Sequence, residues 1–488
     1  MQNGTPTNST EQPSILWHDY ETWGISPKFD KPSQFAGIRT DYDLNIIGEP
    51  EMFYCAPPQD YLPNPEACLV TGITPQKAQR EGLSEADFAA RIHGLFSKPD
   101  TCVAGYNSIR FDDEVSRYLF YRNFYDPYGR EWQNGNSRWD IIDLVRACYA
   151  LRPDGIIWPE VDDGNGGTRV SFRLELLTAA NGISHEAAHD AMSDVYATIA
   201  MAKLIKDKQP KLYDFIFNLK NKKQVADLID VYKMTPVVHT SSRISSEHGC
   251  TSWFAPVSYH PTNKNAVIAV DLACDPTPLF ELSSDEIKAR LYTRYSDLAE
   301  GELPIPVKLI HINKCPVIAP AKTLLPENAE RLAIPRELCL KNLNLLKSYD
   351  DLRDKLSDVF SDSYDNSTPV DPEQALYSGS FFSHADKGQM DILRSLAPEQ
   401  LASHPFSFQD ERLAVLLFRY RARNFPYTLD TNEQEKWQQY CQNKLQYGEK
   451  GLLSIDEYMM KIENLAHEHE SNESKMKILK ALYEYVQR

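Results

Sequence analysis

The chain has 488 residues, 42% of them hydrophobic and 11% aromatic, which is enough material for about two to four globular domains. It contains no run of about 18 apolar residues and its segment 1–12 is polar, which excludes a transmembrane helix and argues against a signal peptide. The net charge of −17 counts against nucleic-acid binding by the surface as a whole, although a net charge can hide a basic groove.

The first predicted strand carries two carboxylates. Ile15, Leu16 and Trp17 form an apolar run, and Asp19 and Glu21 follow two residues apart, so they project from the same face. Two buried, unpaired carboxylates repel each other at a cost of several kcal/mol, which predicts a cation between them. Their hard oxygen atoms favour Mg²⁺ or Mn²⁺ over zinc. An Asp-x-Glu pair alone is more often a solvated strand end, so the interpretation depends on further carboxylates.

The next elements predict an α/β domain with a ligand site at one edge of its sheet. Strands are predicted at 35–40 and 50–55, as an antiparallel meander continuing the first strand, and a helix is predicted to begin at Pro75. A short buried strand at 102–107 runs into a helix with an acidic first turn. This order places Asp112 at the carboxyl end of the sheet, where open α/β sheets hold their ligands.

Residues 117–146 interleave aromatic rings with arginines. This pattern suits single-stranded nucleic acid, because bases stack on rings and arginines hold phosphates. About half of the rings are expected in the core, with Tyr128 and Trp132 the more exposed. The lysine excess at 203–223 fits a solvated helix face and a phosphate track equally well.

A histidine and an aspartate precede and begin an alanine-rich helix. Asp190 is the predicted N-cap, and Asp194 lies one turn inside the helix. His189, five positions before Asp194, must lie in the loop before the helix to reach the same site. Its charge changes in the physiological pH range, which suits a general base. With the earlier carboxylates, this pattern indicates a two-metal phosphodiester hydrolase.

The remainder of the chain has a different composition. Short strands at 236–239, 266–272 and 306–312 predict a β-rich domain, a common platform for single strands. Residues 361–369 have linker composition, and helical spacing beyond them predicts an all-α terminal domain. The nine cysteines form no C-x-x-C pair, so neither a zinc knuckle nor a disulfide framework is indicated and a cytoplasmic location is expected.

Three segments, 18–22, 107–114 and 189–194, resemble in order the motifs of the DEDDh 3′–5′ exonucleases. The His-x4-Asp spacing matches the His class, whereas the proofreading nucleases of many polymerases carry a Tyr. Within that superfamily the chain resembles the bacterial exodeoxyribonuclease I family, through segments 122–128, 137–140, 311–316 and 420–426.

This resemblance implies a fold and an activity. The implied fold is α/β, an RNase H-like exonuclease domain at 13–208, followed by an SH3-like β-rich domain at 209–362 and an all-α C-terminal domain at 367–488. Together they would close a C-shaped clamp around single-stranded DNA. The implied activity is processive removal of 5′-mononucleotides from the 3′ end in DNA repair and recombination, with two Mg²⁺ ions per site that Mn²⁺ can replace. The implied partner is the acidic tail of the single-stranded DNA-binding protein, and a monomer without membrane attachment is expected.

The resemblance also assigns residues by position. Metal ligands would be Asp19, Glu21 and Asp194, with Asp112 completing the acidic set and His189 acting as the base. Glu21 and Arg173 would contact the terminal nucleotide. Contacts along the strand are assigned to Arg117, Tyr128, Trp132, Arg146, Lys222, Asn265, Lys308 and Lys314. Arg423 is a further basic residue expected to hold the strand.

Two alternatives remain open from the residues. A 3′ exoribonuclease could use the same acidic set and base, because sugar selection rests on contacts to the 2′ position. A non-catalytic single-strand binding scaffold is disfavoured, since a binder gains nothing from charges that repel phosphate. The sequence also departs from the family pattern at 162–169, which is longer, and at 241–249, which lacks aromatic and glycine character and leaves DNA contacts there in doubt.

Overall fold

The computed structural model describes residues 12–164, 166–185, 190–361, 370–449 and 451–487. His189 and nearly all of the predicted linker at 361–369 therefore lie outside the described residues. The chain divides into two compact units. The first comprises Met1–Ser137, His185–Tyr196 and Asn366–Arg488, and the second comprises Arg138–Ser184 and Ala197–Asp365. The domain boundaries predicted at 208 and 362 stay predictions.

The sheet of the first unit is built around its first strand. Its strands are β1 (Ser14–Thr22), β2 (Pro32–Thr40), β3 (Glu51–Tyr54) and β4 (Thr101–Gly105), and they lie in the order β3-β2-β1-β4. The pairs β1–β2 and β2–β3 are antiparallel, whereas β1–β4 is parallel. The predicted meander is confirmed.

Three helices lie between β3 and β4, and a fourth follows β4: α1 (Pro65–Thr71), α2 (Pro75–Glu81), α3 (Glu85–Phe96) and α4 (Asp112–Arg122). Helix α2 begins as predicted, because the Thr74 side chain accepts a hydrogen bond from the backbone N–H of Lys77. Leu16 and Tyr20 of β1 pack with Phe88 of α3 in one apolar cluster. Since side chains alternate along a strand, Asp19 and Glu21 project from the opposite face of β1.

The middle of the chain continues through short elements: β5 (Ser137–Asp140), α5 (Ile141–Leu151), β6 (Glu160–Asp162), β7 (Thr168–Val170), α6 (Leu174–Ala180), α7 (Ala191–Lys208), α8 (Pro210–Asn218) and α9 (Lys222–Ala226). Both ends of the 162–169 segment noted in the sequence lie in the β6–β7 hairpin, because Asp162 of β6 pairs with Thr168 of β7.

The second unit contains the predicted β-rich domain. Its strands are β8 (Val237–Thr240), β9 (Thr251–Tyr259), β10 (Ala266–Asp271), β11 (Val307–His311) and β12 (Val317–Pro320). They pair antiparallel in the order β11-β10-β9-β8-β12. Five helices accompany them: α10 (Thr277–Glu281), α11 (Ser284–Leu291), α12 (Pro326–Arg331), α13 (Arg336–Lys347) and α14 (Leu352–Val359). Phe254, Val267 and Ile310 lie in the core of this sheet.

The C-terminal region is all-α, as predicted. Its helices are α15 (His384–Ser395), α16 (Glu411–Asn424), α17 (Thr431–Tyr447), α18 (Ile455–Glu468) and α19 (Glu473–Val486). Tyr458 and Leu482 share a buried cluster with Trp23 and Tyr61 from the N-terminal part of the chain. The helices therefore complete the core of the first unit. No helix among the described residues is long and apolar enough to cross a membrane.

A buried ionic network joins these helices to the N-terminal part of the same unit. The guanidinium of Arg423 donates two hydrogen bonds to the carboxylate of Asp60, at 2.8 and 2.7 Å, and Lys444 donates a third at 2.8 Å. Arg423 also pairs with Glu373, which accepts a hydrogen bond from Lys31. The expectation that Arg423 holds the DNA strand is wrong, because its side chain is only 4% exposed and its charge is paired with Asp60 and Glu373 inside the protein.

The network keeps its carboxylates ionised. Burial alone would raise the pKa of Asp60, but Arg423 and Lys444 outweigh burial and hold that pKa well below its usual value. Glu85 lies in the same region, where Arg122 and Lys31 overcome the effect of burial and lower its pKa to about 2. These groups therefore stabilise the fold at neutral pH.

Replacing Asp60 by Asn should lower the free energy of unfolding at pH 7 by about 3–5 kcal/mol, because Lys444 would lose the carboxylate it pairs with and Arg423 would keep only Glu373 as a counter-charge. A depressed pKa contributes stability above the unfolded-state value near 3.8, and this contribution is lost as the pH falls through the folded-state value. The difference between parent and variant in urea unfolding should therefore shrink below about pH 4.

Glu473→Gln is the matched control. Glu473 pairs with Lys477 on α19, but both side chains are at least 74% exposed, so its loss should leave the unfolding curve unchanged. An Asp60→Asn protein as stable as the parent at pH 7 would contradict the role of the network.

Candidate active site

The strand β1 and the start of helix α4 hold three carboxylates close together. Asp19 and Glu21 are half-buried on one face of β1. The backbone N–H of Tyr20, between them, donates a 3.1 Å hydrogen bond to Oδ1 of Asp112. Because β4 runs parallel to β1 and leads into α4, Asp112 arrives at the carboxyl end of the sheet as predicted.

Helix α7 contributes the fourth carboxylate, that of Asp194. Asp190 acts as the predicted N-cap, since its Oδ1 accepts a 3.1 Å hydrogen bond from the backbone N–H of Ser193. Asp194 lies in the first turn of this helix. One carboxylate oxygen each from Asp19, Glu21 and Asp194 lies within 4.8 Å of the others, and among the described residues no other such group could hold a metal ion. The structure thus brings the three predicted ligands together.

The carboxylates of this cluster repel one another, which favours a bound cation. Burial, and then the charges of Asp112, Glu21 and Asp194, raise the pKa of Asp19 well above its usual value. Burial and then Asp194 and Asp112 raise the pKa of Glu21 to about 8. A divalent cation would relieve this repulsion, and a set of hard oxygen donors fits Mg²⁺ or Mn²⁺.

Three histidines lie in or beside the predicted motifs. The expected base, His189, is outside the described residues. His18 precedes Asp19 but faces the other side of β1, where burial and then Arg130 lower its pKa to about 4, so it is a neutral core residue. His185 was not predicted, although its Nε2 lies 2.5 Å from Oδ1 of Asp194. In the sequence, the only indication of a role for His185 was its position in the same segment as His189.

The predicted strand-binding residues of the first unit are unequally exposed. Trp132 is 66% exposed and Tyr128 is half-buried. Arg117 is buried, with its guanidinium 2.8 Å from Glu131 and 2.6 Å from Glu114, and it stacks over the Tyr128 ring. A direct contact of Arg117 with DNA stays a prediction.

The expectation that arginines of the 117–146 stretch hold phosphates is wrong for Arg122, Arg130 and Arg138, which are buried. Arg122 pairs with Glu85 at 3.2 Å, and Arg130 pairs with Asp113 at 2.6 Å. Arg122 and Arg130 therefore neutralise carboxylates inside the fold, and Arg138 donates to the backbone carbonyl of Asn313 at 3.0 Å. Interleaving of rings and arginines in the sequence could not distinguish this internal role from a surface one.

Two aromatic residues beside Tyr128 were missed by sequence reasoning. Phe381 is 84% exposed and its ring centroid lies 5.9 Å from that of Tyr128. The Tyr377 hydroxyl donates to Glu114 at 2.6 Å and accepts from Arg117 at 3.0 Å. We call Tyr128, Tyr377 and Phe381 the aromatic cluster, and together they line a cavity of about 240 Å³.

In the second unit, four predicted residues lie in one region. The ammonium of Lys222 donates to Oδ1 of Asn265 at 2.5 Å, and the backbone carbonyl of Asn265 accepts from Ile312, just after β11. Burial, and then Lys314 and Lys308, lower the pKa of His311 to about 4. Both lysines therefore lie close to His311 at the end of β11. We call Lys222, Asn265, Lys308 and Lys314 the β11 patch.

The other two predicted residues of this unit differ in environment. Arg146 is buried and pairs with Asp143 at 2.6 Å. The side chain of Arg173 is 69% exposed and forms an ion pair with Glu175. Roles of Arg146 and Arg173 in DNA binding stay predictions.

The second unit also has a cavity of about 420 Å³ that sequence reasoning missed. Its lining combines the apolar side chains of Leu212 and Phe215 with the cationic Arg152 and Lys211. No periodic pattern in the sequence indicated this cavity, because residues from distant parts of the chain line it together.

Comparison with known proteins covers nearly the whole chain. Family models match for an exonuclease at residues 16–202, an Exonuclease I SH3-like domain at 220–362 and an Exonuclease I C-terminal domain at 370–488. Exodeoxyribonuclease I of Haemophilus influenzae is 54% identical over 97% of this chain and 98% of its own length. The Escherichia coli enzyme of the same name is 52% identical over 98% of each chain.

A solved structure agrees with these matches. Exonuclease I of E. coli in complex with a dA16 oligonucleotide superposes with a TM-score of 0.93, at 52% identity, and the match covers 98% of this chain and 99% of that one. The predicted order of an exonuclease domain, an SH3-like domain and a helical C-terminal domain is confirmed. The chain belongs to the exodeoxyribonuclease I family.

Proposed function

We propose that this protein is a divalent-metal-dependent exonuclease that degrades single-stranded DNA processively from its 3′ end to 5′-mononucleotides. The convergence of Asp19, Glu21 and Asp194 beside Asp112 carries the proposal. Single-stranded DNA as substrate is supported by the relative from E. coli, which was solved with a dA16 oligonucleotide.

Mg²⁺ is the proposed physiological ion, with two ions per site and Mn²⁺ as a substitute. Asp19, Glu21 and Asp194 would hold the metal, because their oxygens lie within 4.8 Å of one another and repel each other without it. When bound, such ions activate a water and neutralise charge that develops on the scissile phosphate and the leaving 3′ oxygen.

The remaining roles belong to side chains around the metal ligands. Asp112 is held beside them by the backbone N–H of Tyr20 and completes the acidic set. The family resemblance assigns His189 as the base that takes a proton from the attacking water, with a pKa range suited to that work. It also assigns Glu21 and Arg173 to the terminal nucleotide.

We propose that each unit offers the strand a different kind of contact. In the first unit, Trp132 and two members of the aromatic cluster, Tyr377 and Phe381, offer exposed rings on which bases can stack. In the second unit, the β11 patch offers ammonium groups for phosphates. Arg117 and Arg146, both already in ion pairs, would act by holding neighbouring rings in place.

The proposed partner is the acidic tail of the single-stranded DNA-binding protein. The cavity of the second unit suits such a tail, because Arg152 and Lys211 can pair with acidic side chains while Leu212 and Phe215 offer apolar contact. We further propose a monomer that acts in DNA repair. A cytoplasmic location is supported by the cysteines, all of which are free thiols.

Asp194→Asn should abolish hydrolysis while leaving single-strand binding nearly intact, because the carboxylate holds metal and other surfaces hold the strand. The measurements are single-turnover cleavage of a labelled oligonucleotide in Mg²⁺ and anisotropy of the same oligonucleotide in EDTA. Asp207→Asn is the matched control, since Asp207 lies exposed on the same helix, α7, and should cleave normally. Full activity of Asp194→Asn would refute the metal assignment.

Phe381→Ala and Trp132→Ala should each weaken binding of a single-stranded oligonucleotide by about 1–3 kcal/mol, the range for losing one stacked base. Anisotropy titrations in EDTA measure this without cleavage. Tyr232→Ala is the matched control, because Tyr232 is 84% exposed but lies outside both proposed surfaces. Equal affinities for all three variants would contradict base stacking at these rings.

Lys211→Glu should weaken binding of a synthetic peptide with the tail sequence about three- to tenfold, because it replaces an attraction at the rim of the cavity by a repulsion. The effect should diminish with added salt. Lys203→Glu makes the same charge change at an exposed site that does not line the cavity and should bind the peptide normally. Calorimetry with no difference between the two variants would place the tail elsewhere.

A further inference from the structure

His185 makes a direct contact with one of the proposed metal ligands. Its Nε2 lies 2.5 Å from Oδ1 of Asp194, and its imidazole side chain is only 4% exposed. When Asp194 is ionised, as a metal-binding carboxylate is, it can only accept hydrogen bonds, and the imidazole is then the donor in this contact. The contact therefore restrains Asp194 from one side.

The contact with His185 is compatible with metal binding by the same carboxylate. A carboxylate offers about four lone-pair positions, so a hydrogen bond to Oδ1 does not exhaust its capacity. The side chain of Asp194 is still 20% exposed and has an oxygen within 4.8 Å of ligand oxygens of Asp19 and Glu21. The backbone N–H of Asp194 is bonded to the carbonyl of Asp190, which fixes the main chain but not the rotation of the carboxylate.

We propose that His185 is a positioning residue that orients the carboxylate of Asp194 for metal binding. The inference rests on the proposed metal-dependent function and adds a residue outside the His-x4-Asp motif. Partners of this kind fix the orientation of a ligand, and their loss typically weakens metal affinity about 10–100-fold. His185 would act before catalysis, on metal occupancy, whereas His189 would act on the proton of the attacking water.

The experiment measures metal binding by the full chain without DNA. Titration with Mn²⁺ at one fixed pH, followed by the electron paramagnetic resonance signal of the free ion, gives the dissociation constant directly. His185→Ala should raise that constant about 10–100-fold. His185→Gln should recover much of the affinity, because its amide N–H can lie near the position of Nε2, whereas the shorter His185→Asn should not.

Single-turnover cleavage at saturating Mn²⁺ separates positioning from catalysis. All three His185 variants should cleave at close to the parent rate once the metal site is filled. His189→Ala should instead bind Mn²⁺ normally and cleave about 10²–10⁴-fold more slowly. His93→Ala is the matched control, because His93 is a half-buried imidazole that packs against Tyr125 and no proposed metal ligand.

Two outcomes would overturn the proposal. Parent-like Mn²⁺ affinity in the His185 variants would show that the contact does not affect the ligand, and a slow rate at saturating Mn²⁺ would assign the proton work to His185. If His185→Ala does not fold, the Gln and Asn variants decide, since equal affinities for those two would also overturn it. A parent protein that neither binds Mn²⁺ nor cleaves would instead refute the proposed function.

Discussion

The mutual repulsion of carboxylates at the end of β1 is the constraint on which the site depends. Asp19, Glu21, Asp112 and Asp194 come from a strand and the starts of two helices, and burial raises the cost of each additional negative charge. A fold that relieved this repulsion internally would need buried cations in contact with the cluster. The described protein instead leaves oxygens of three carboxylates facing one another, which favours an external divalent cation.

Elsewhere in the first unit, basic side chains of the protein itself neutralise buried carboxylates. Asp60 and Glu373 are buried too, but Arg423, Lys444 and Lys31 surround them and lower their pKa values. The two sets of carboxylates differ in their surroundings, since nearby cations lower the pKa values of Asp60 and Glu373, whereas burial and neighbouring carboxylates raise those of Asp19 and Glu21. It also explains why the C-terminal helices belong to the first unit, because they supply Arg423 and Lys444 as well as part of its apolar core.

Several arginines of this protein are buried, whereas the lysines near β11 lie at the surface. Buried arginines such as Arg122 and Arg130 pair with carboxylates inside the fold, where a planar guanidinium can satisfy several acceptors at once. Lysines near β11 stay at the surface of the second unit, where a mobile ammonium group suits contact with phosphates of any sequence. A net charge of −17 is therefore compatible with a protein that binds a polyanion through a local surface.

The sequence by itself determined the order of domains and which acidic residues come together at the end of β1. Alternation along β1, the strand-to-helix junction before Asp112 and the cap at Asp190 are local features, and each depends on neighbouring residues alone. The family motifs added the order of the domains, because their residues occur at characteristic positions along the whole chain.

Only the tertiary structure decided which charged and aromatic side chains are buried or paired and which lie at the surface. Arg423 pairs with Asp60 across 363 residues of sequence, and Phe381 meets Tyr128 although no periodic pattern links them. His185 and Asp194 likewise come into contact although they lie nine positions apart and His185 lies outside α7. Burial and pairing of this kind depend on distant parts of the chain, so composition and spacing could not reveal them.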